Sequence, residues 1–197
     1  MVKVLVIEDE ACIRESTIEL LEAEGFEAIE AINGLEGLQK AQELLPALIV
    51  CDVMMPEMDG YALLEKLQEN EKTANIPFIF LTAKVDKKDM RQGMDLGADD
   101  YLTKPFSRAE LIFSISARLK KKQKSESERN RLKVKFLRSL QDGLSNRLSN
   151  ISRLADEIML SPKETEETLD IVSQIKGQVV VTDLLLTKLK KSFSEER

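Results

Sequence analysis

Short apolar runs alternate with amphipathic stretches throughout residues 1–119. Uninterrupted aliphatic and β-branched runs are typical of strands that are buried on both faces of a parallel sheet. They predict strands over residues 4–7, 47–51 and 77–81, and two segments of mixed character predict two more strands, over residues 26–31 and 100–103. Apolar positions three or four residues apart predict helices over residues 11–24, 35–45, 61–70 and 86–96, and a last helix from residue 107. The alternation predicts an α/β fold with a doubly wound, five-stranded parallel sheet.

Glycine, proline and cap residues mark where several of these elements end. Gly25 and Gly97 follow predicted helices in the usual C-terminal position, and Pro46 stops the helix before the third strand. Ser107 and Glu110 form a capping-box pattern, which predicts that the last helix begins directly after Ser107. These signals agree with the boundaries that the hydrophobic pattern predicts.

The pattern changes after residue 119. Residues 120–135 are rich in Lys and Arg and contain neither Pro nor Gly, so a solvated helix is favoured over a flexible linker. Apolar residues then recur at heptad spacing, first at Leu137, Leu140, Leu144, Ile151, Leu154 and Ile158, and again at Val172, Ile175, Val179, Thr182, Leu186, Leu189 and Phe193. With Ser161 and Pro162 between them, these segments predict a helical hairpin over residues 136–194. One hairpin buries only part of its apolar seam, so we expect two of them to form a four-helix bundle in a homodimer.

Composition and charge separate the same two regions. Residues 1–119 contain 12 Lys and Arg against 23 Asp and Glu, whereas residues 120–197 contain 17 against 12. Histidine is absent, which excludes His-based triads, His metal ligands and a phosphohistidine on this chain. Two cysteines are too few for a disulfide framework, and no apolar run approaches the ~20 residues of a membrane span. The N-terminus has no signal-peptide pattern, so we expect a cytoplasmic protein with no membrane partner.

Polar residues follow four of the five predicted strands. Glu8 and Asp9 follow the first strand, Asp52 the third, Thr82 the fourth and Lys104 the fifth. The carboxyl ends of parallel strands lie at one edge of a sheet, so we expect these side chains to meet there. Three carboxylates at one point repel one another, and Mg²⁺, which binds carboxylates together with waters and phosphoryl oxygens, would neutralise them. Because a lysine and a threonine hydroxyl can hold phosphoryl oxygens, the cluster indicates phosphoryl transfer to a carboxylate.

Four motifs in this region resemble those of one known family. They are Val4-Leu5-Val6-Ile7-Glu8-Asp9-Glu10, Asp52-Val53-Met54-Met55-Pro56-Glu57-Met58-Asp59-Gly60, Leu81-Thr82-Ala83 and Tyr101-Leu102-Thr103-Lys104-Pro105-Phe106. With these motifs in order, residues 1–119 resemble the receiver domain of two-component response regulators, which has a flavodoxin-like fold. The resemblance implies that a partner histidine kinase phosphorylates Asp52. It implies no enzymatic activity beyond weak Mg²⁺-dependent self-phosphorylation from small donors and autodephosphorylation.

The same resemblance implies a role for each matching residue. The implied Mg²⁺ ligands are Glu8, Asp9, Asp52 and the backbone carbonyl of Met54. Lys104 would pair with the phosphoryl oxygens, and Thr82 would move to donate a hydrogen bond to them. Tyr101 would then turn inward from an exposed orientation, and the face around residues 86–108 would present the change to partners.

Residues 136–151 resemble the dimerisation and phosphotransfer helix of histidine kinases. In that pattern a histidine would stand at Asp142, a glutamate at Gly143 and a proline at Arg147. All three are replaced, so this resemblance concerns the scaffold and not its chemistry.

A response regulator that signals through a helical dimerisation or partner-docking module is therefore the leading hypothesis. Its expected partners are a histidine kinase, a second copy of the chain and a downstream protein. A DNA-binding transcriptional regulator is the alternative, but the positive charge concentrates before residue 136 and no recognition helix is indicated, so we do not expect DNA binding. A phosphotransfer or phosphatase accessory protein is a third hypothesis, in which Gln141 or Asn146 would orient a water molecule.

Overall fold

The computed structural model describes residues 1–83, 96–159 and 165–195. Within these ranges the strands are β1 Lys3–Ile7, β2 Glu27–Ala31, β3 Leu48–Asp52, β4 Phe78–Thr82 and β5 Asp100–Thr103. The helices are α1 Ala11–Ala23, α2 Gly34–Leu44, α3 Gly60–Gln68, α4 Arg108–Met159 and α5 Glu166–Glu195. The helix predicted over residues 86–96 and the turn at Ser161 and Pro162 lie outside the described residues, apart from residue 96.

The strands form one parallel sheet in the order β2-β1-β3-β4-β5. This confirms the predicted five-stranded parallel sheet with flanking helices. The chain moves outward from β1 to β2 and then returns to place β3 on the other side of β1, which leaves a crevice at the carboxyl edge between β1 and β3. Two predicted strand ends were one residue short. Asp52 and Thr82 are the last residues of β3 and β4, because the ladder continues through the pairs Asp52–Leu81 and Thr82–Thr103.

The apolar core of the first unit lies in two layers, one on each face of the sheet. Successive residues of a strand point to opposite faces, so Leu5 and Ile7 belong to one layer and Val4 and Val6 to the other. The first layer includes residues of α2 and α3, and the second includes Leu21, Leu111 and Ile115 of α1 and α4. Because both faces are covered, the inner strands β1, β3 and β4 appear in the sequence as apolar runs.

Several helix ends follow the predicted cap signals. The Ser107 backbone N–H donates to Glu110 Oε2 at 2.8 Å, and the Glu110 N–H donates to Ser107 Oγ at 3.3 Å, so the predicted capping box precedes α4. Gly25, just after α1, has a φ of 82°, a conformation that glycine adopts without strain. Helix α2 ends at Leu44, two residues before Pro46.

The chain divides into two units, Met1–Lys124 and Ser125–Arg197. Helix α4 is continuous through residues 120–135, the segment for which the sequence favours a helix over a flexible linker. The domain boundaries after residues 119 and 135 stay predictions, since α4 passes both positions without a break. None of the described helices combines the length and the apolar character that crossing a bilayer requires.

Within the second unit, the later part of α4 contacts α5. Gln141 Nε2 donates to the Leu186 carbonyl oxygen at 3.2 Å, and Lys176 forms an ion pair with Asp156. Six residues of the predicted heptad seam are nevertheless 39–50% exposed: Leu140, Leu144, Ile151, Leu154, Ile158 and Ile175. The side chains of Leu189 and Phe193 lie outside the described part of the chain. Much of the predicted seam is therefore not buried within this unit.

Candidate functional site

Backbone hydrogen bonds bring the predicted site residues to one edge of the sheet. Ile7 of β1 lies opposite Cys51 of β3, so the residues that follow them, Glu8 and Asp52, emerge side by side. The Glu8 N–H donates to the Ala31 carbonyl oxygen at 3.1 Å, which extends the ladder between β1 and β2 by one residue. At the far side of the sheet, the Lys104 N–H donates to the Thr82 carbonyl oxygen at 2.7 Å. The sheet itself therefore positions the site.

Glu8, Asp9 and Asp52 form a carboxylate cluster. One oxygen of each side chain lies within 4.8 Å of the oxygens of the other two. Glu8 is fully buried and Asp52 is 8% exposed, whereas Asp9 is exposed. Burying like charges together is unfavourable unless cations or hydrogen bonds compensate for it.

Lys104 compensates for part of this negative charge. Its Nζ donates to Glu8 Oε2 at 2.6 Å and to Asp52 Oδ1 at 2.8 Å. Burial acts to lower the pKa of Lys104, but the hydrogen bonds to Asp52 and Glu8 outweigh burial and leave that pKa raised. Lys104 is therefore charged at neutral pH, and its single charge faces three carboxylates.

The second oxygen of Glu8 indicates that the cluster can take a further cation. Among the described residues, Glu8 Oε1 is a buried oxygen without a hydrogen-bond partner. Burial raises the pKa of Glu8, the hydrogen bond from Lys104 opposes this, and the charge of Asp52 adds to it. A buried oxygen of this kind is costly, and a metal ion would satisfy it. The oxygen donors of Glu8, Asp9 and Asp52 fit Mg²⁺, as the sequence predicts.

The loop after β3 is held close to the acceptor carboxylate. The Val53 N–H donates to the Leu81 carbonyl oxygen at 3.1 Å, and the Gly60 N–H donates to the Val53 carbonyl oxygen at 3.0 Å. A Cβ atom at Gly60 would lie 2.5 Å from the Asp52 carbonyl oxygen, so a side chain there would displace the backbone of Asp52. The glycine thus allows the two ends of the loop to meet.

The other predicted site residues lie on neighbouring elements. Thr82, the last residue of β4, is 9% exposed. Met54 lies in the loop between β3 and α3 with its side chain exposed. Tyr101 of β5 is half-buried, with its ring centroid 5.0 Å from that of Phe80, and so does not have the exposed orientation expected before phosphorylation. The roles inferred for these three residues stay predictions.

Arg14 contacts the site although no motif indicated it. Its Nη1 donates to the carbonyl oxygens of Glu8 at 2.9 Å and Asp9 at 3.4 Å, and its Nε donates to Glu30 Oε2 at 3.3 Å. The sequence feature that could have indicated this contact is a cation near the start of α1, where the helix dipole disfavours positive charge.

The fold and this edge define a flavodoxin-like α/β domain with an acidic pocket. Residues 4–116, more than half of the chain, match the family model described as "Response regulator receiver domain". The structure is similar to that of the receiver domain of Francisella response regulator 1452, with a TM-score of 0.58 and 36% identity over 61% of this chain and 98% of that one. The chain therefore belongs to the response regulator receiver domain family.

Curated relatives extend this similarity to named regulators. The phosphate regulon transcriptional regulatory protein PhoB of Pseudomonas aeruginosa is 40% identical over 125 residues, which cover 64% of this chain and 55% of that protein. The alkaline phosphatase synthesis transcriptional regulatory protein PhoP of Bacillus subtilis is 34% identical over 193 residues, 94% of this chain and 77% of that protein. The chain spans about half the length of the first curated relatives that it matches. Since these relatives are transcriptional regulators by name, they do not support the expectation that DNA binding is absent.

Proposed function

We propose that the chain is a response regulator that accepts a phosphoryl group on Asp52 from a partner histidine kinase, with Mg²⁺ bound. The observation that supports this most strongly is Lys104, whose Nζ bridges Glu8 at 2.6 Å and Asp52 at 2.8 Å. An ammonium in this position can exchange one carboxylate contact for an oxygen of a phosphoryl group on Asp52.

In the proposed transfer, Asp52 is the nucleophile. One of its carboxylate oxygens forms a bond to phosphorus while the bond between phosphorus and the donor histidine nitrogen breaks. The residues that would hold Mg²⁺, which supplies charge neutralisation to the phosphoryl oxygens, are Glu8, Asp9, Asp52 and the backbone carbonyl of Met54. Lys104 would hold a second phosphoryl oxygen and the Thr82 hydroxyl would donate to it or its neighbour. Beyond weak self-phosphorylation from small donors and autodephosphorylation, we propose no enzymatic activity.

The readout would pass through β5 and its surroundings. A phosphoryl group adds charge and acceptor oxygens, and these can bias an element that has two states. The Lys104 N–H is bonded to the Thr82 carbonyl oxygen, and Tyr101 contacts Phe80, the residue two positions before Thr82. A shift of Thr82 toward a phosphoryl group would therefore change the surroundings of Tyr101, which is the proposed switch residue.

Phosphoryl labelling tests the proposal. The full chain is incubated with Mg²⁺ and acetyl phosphate, or with a histidine kinase, and its intact mass is measured. We expect one added phosphoryl group on the wild type and none on Asp52→Asn. Asp59→Asn is the matched control, because Asp59 lies in the same loop but caps α3 by accepting from the Ala62 N–H at 2.8 Å. Labelling that survives Asp52→Asn would refute the proposal.

For the second unit, we infer a helical hairpin that pairs with a second copy. The contacts Gln141–Leu186 and Asp156–Lys176 span 45 and 20 residues, which supports antiparallel helices. The more buried side of α4 combines four small or polar residues with only two leucines: Leu137, Gln141, Ser145, Leu148, Ser152 and Ala155. A contact line of this composition buries little apolar surface, so the pair needs a further apolar partner to be stable.

An apolar face next to this contact line suggests what the partner is. At about 100° per residue, Leu140, Leu144, Ile151 and Ile158 lie on one side of α4, adjacent to the contact line. On the same side of the antiparallel pair, α5 presents Ile175, Thr182 and Leu185. Each helix thus contributes a stripe to one face, which is the arrangement that two hairpins use in a four-helix bundle.

Molar mass in solution tests this pairing. By sedimentation equilibrium we expect a dimer for the wild type and a monomer for Leu144→Glu, which places a charge in the face. Ser149→Glu, on the opposite and exposed side of α4, is the control and should remain a dimer. A wild-type monomer across the accessible concentration range would contradict the pairing.

DNA binding is the second candidate function, because PhoB and PhoP are transcriptional regulatory proteins by name. The excess of 17 Lys and Arg over 12 Asp and Glu in residues 120–197 permits it. Fluorescence anisotropy with duplex DNA at two salt concentrations would decide. Affinity that falls steeply with salt and is lost without residues 120–197 would support this candidate, and no binding at low salt would exclude it. The phosphatase hypothesis has less support, since the Gln141 amide donates to the Leu186 carbonyl oxygen.

A further inference from the structure

We propose that Arg14 is a positioning residue for the Mg²⁺ site, acting through the backbone carbonyls of Glu8 and Asp9. The inference rests on the proposed function, because it concerns the same cation. It assigns to α1 a part in setting the direction of the two carboxylates that leave β1.

The contacts of Arg14 join three elements around the carboxylate cluster. Nη1 donates to the Glu8 carbonyl oxygen at 2.9 Å and to the Asp9 carbonyl oxygen at 3.4 Å. On the other side of the guanidinium, Nε donates to Glu30 Oε2 of β2 at 3.3 Å. The Arg14 side chain is only 12% exposed, so its neighbours restrict its orientation. A planar guanidinium group that is bonded on two sides can fix the orientation of two successive peptide units. The flexible ammonium group of a lysine cannot do this.

The peptide units after Glu8 and Asp9 lie between a strand and a helix, which explains why they need a contact that fixes their orientation. The ladder bond from the Glu8 N–H to the Ala31 carbonyl oxygen holds Glu8 at the end of β1. Helix α1 begins only at Ala11, so Asp9 lies between strand and helix. The direction of a side chain follows from the orientation of its own peptide units, and Arg14 binds the carbonyls on the C-terminal side of Glu8 and Asp9. Loss of a residue that orients metal ligands from behind typically lowers metal affinity about 10- to 100-fold.

The stability of α1 does not account for an arginine at this position. Arg14 lies in the first turn of α1, where the helix dipole disfavours a cation. The turn has no acidic residue to offset it, and the N-cap residue Glu10 makes no side-chain cap hydrogen bond. The favourable interactions of this side chain are therefore its contacts with the loop carbonyls and with Glu30 of β2.

Charge and positioning predict opposite effects on Mg²⁺ binding. A cation close to the cluster repels Mg²⁺, so if Arg14 acted by charge alone, Arg14→Gln would bind Mg²⁺ more tightly and Arg14→Lys would match the wild type. If Arg14 positions the ligands, Arg14→Gln weakens binding about tenfold, a typical effect of losing a residue that orients metal ligands. Arg14→Lys, which keeps the charge but can reach fewer acceptors, falls between Arg14→Gln and the wild type.

The test is a titration of the full chain with Mg²⁺ alone, followed by amide chemical shifts in NMR. Lys40→Gln is the matched control, because Lys40 also binds a backbone carbonyl nearby, that of Glu30 at 2.7 Å, but its other partner is Glu36. We expect Lys40→Gln to keep the wild-type affinity and all variants to keep the dispersed spectrum of a folded domain. Should Arg14→Gln prove unfolded, Arg14→Lys alone decides, by binding more weakly than the wild type or equally well.

The outcomes separate this inference from the proposed function. If the wild type and Asp9→Asn bind Mg²⁺ equally, the proposed Mg²⁺ site itself is wrong. If Asp9→Asn loses binding while both Arg14 variants bind as tightly as the wild type or more tightly, the site stands and the positioning role of Arg14 is refuted.

Discussion

The two units of this chain differ in how they use their apolar residues. In the first unit, residues such as Leu5, Ile49 and Phe80 are fully buried, with helices covering both faces of the sheet. In the second unit, Leu140 and Leu144 remain 48% and 46% exposed. A sheet with a closed core can hold Lys104 within hydrogen-bond distance of both Glu8 and Asp52. A helix pair with an open apolar face is instead suited to assembly, so we expect chemistry in the first unit and partner binding in the second.

The glycines show the same contrast. At Gly60 a Cβ atom would meet the Asp52 carbonyl oxygen at 2.5 Å, whereas at Gly143 and Gly177 nothing lies within 4 Å of such an atom. In the first unit, glycine permits a close approach that the site requires. In the second, the helix glycines have no such purpose within the described residues, and they weaken the helices.

The largest effect should come from the closed core. Phe80→Ala removes a fully buried ring that contacts Tyr61, Phe78 and Tyr101, and we expect it to destabilise the first unit by about 3–5 kcal/mol. Val180→Ala in the second unit, where the side chain is 66% exposed, should cost about 0.5 kcal/mol or less. Denaturant unfolding of the full chain measures both. Equal costs would remove the contrast between a closed and an open core.

The next effect concerns the glycine that lets the β3 loop close. Gly60→Ala should destabilise the first unit by about 1–3 kcal/mol, because the new methyl group meets the Asp52 backbone and the fully buried Phe80 ring. It should also slow phosphorylation of Asp52, whose backbone must shift. Rates of labelling by acetyl phosphate, set beside denaturant unfolding, check both effects. A variant as stable and as fast as the wild type would show that the loop tolerates the shift.

The pH dependence of Mg²⁺ binding should reveal the buried carboxylate. Burial raises the pKa of Glu8, so protons compete with Mg²⁺ at a pH above the ordinary glutamate range. Below that pKa the affinity should fall by up to about tenfold per pH unit. The folding stability of the metal-free protein should depend on pH in the opposite direction. A raised carboxyl pKa stabilises the fold at low pH, and this contribution is lost as the pH rises through that pKa. Calorimetric titration at several pH values measures the affinity, and a loss that begins only in the ordinary glutamate range would contradict the raised pKa.

The smallest effect is expected from the second unit. Gly143→Ala should stabilise that unit by about 0.5–1 kcal/mol, because alanine favours the helix and its methyl group meets open space. Thermal unfolding of the full chain measures this. A destabilised Gly143→Ala dimer would instead mean that the second copy approaches α4 closely at this residue.

The sequence predicted the fold and the members of the carboxylate cluster because the physics there is simple. Strands buried on both faces appear as apolar runs, so β1, β3 and β4 were predicted to within one residue of their observed ends. Residues that follow adjacent parallel strands have to meet at one edge of the sheet. The Arg14 contacts could not be predicted in this way, since they depend on the path of a loop and the direction of one long side chain. The heptad spacing in α4 likewise identified the apolar residues but could not predict which side of α4 faces α5. As a result Leu137 is half-buried while Leu140, three residues later, is exposed.

Mapping the phosphorylated residue tests the central claim most directly. The chain is labelled with acetyl phosphate and Mg²⁺, the acyl phosphate is reduced with borohydride, and the converted aspartate is located by peptide mass spectrometry. The account predicts conversion at Asp52 in the first unit and none at Asp142 on α4, the residue that replaces the histidine of the kinase-like pattern. Conversion at Asp142, or at any carboxylate outside the cluster of Glu8, Asp9 and Asp52 with Asp52 unmodified, would contradict it.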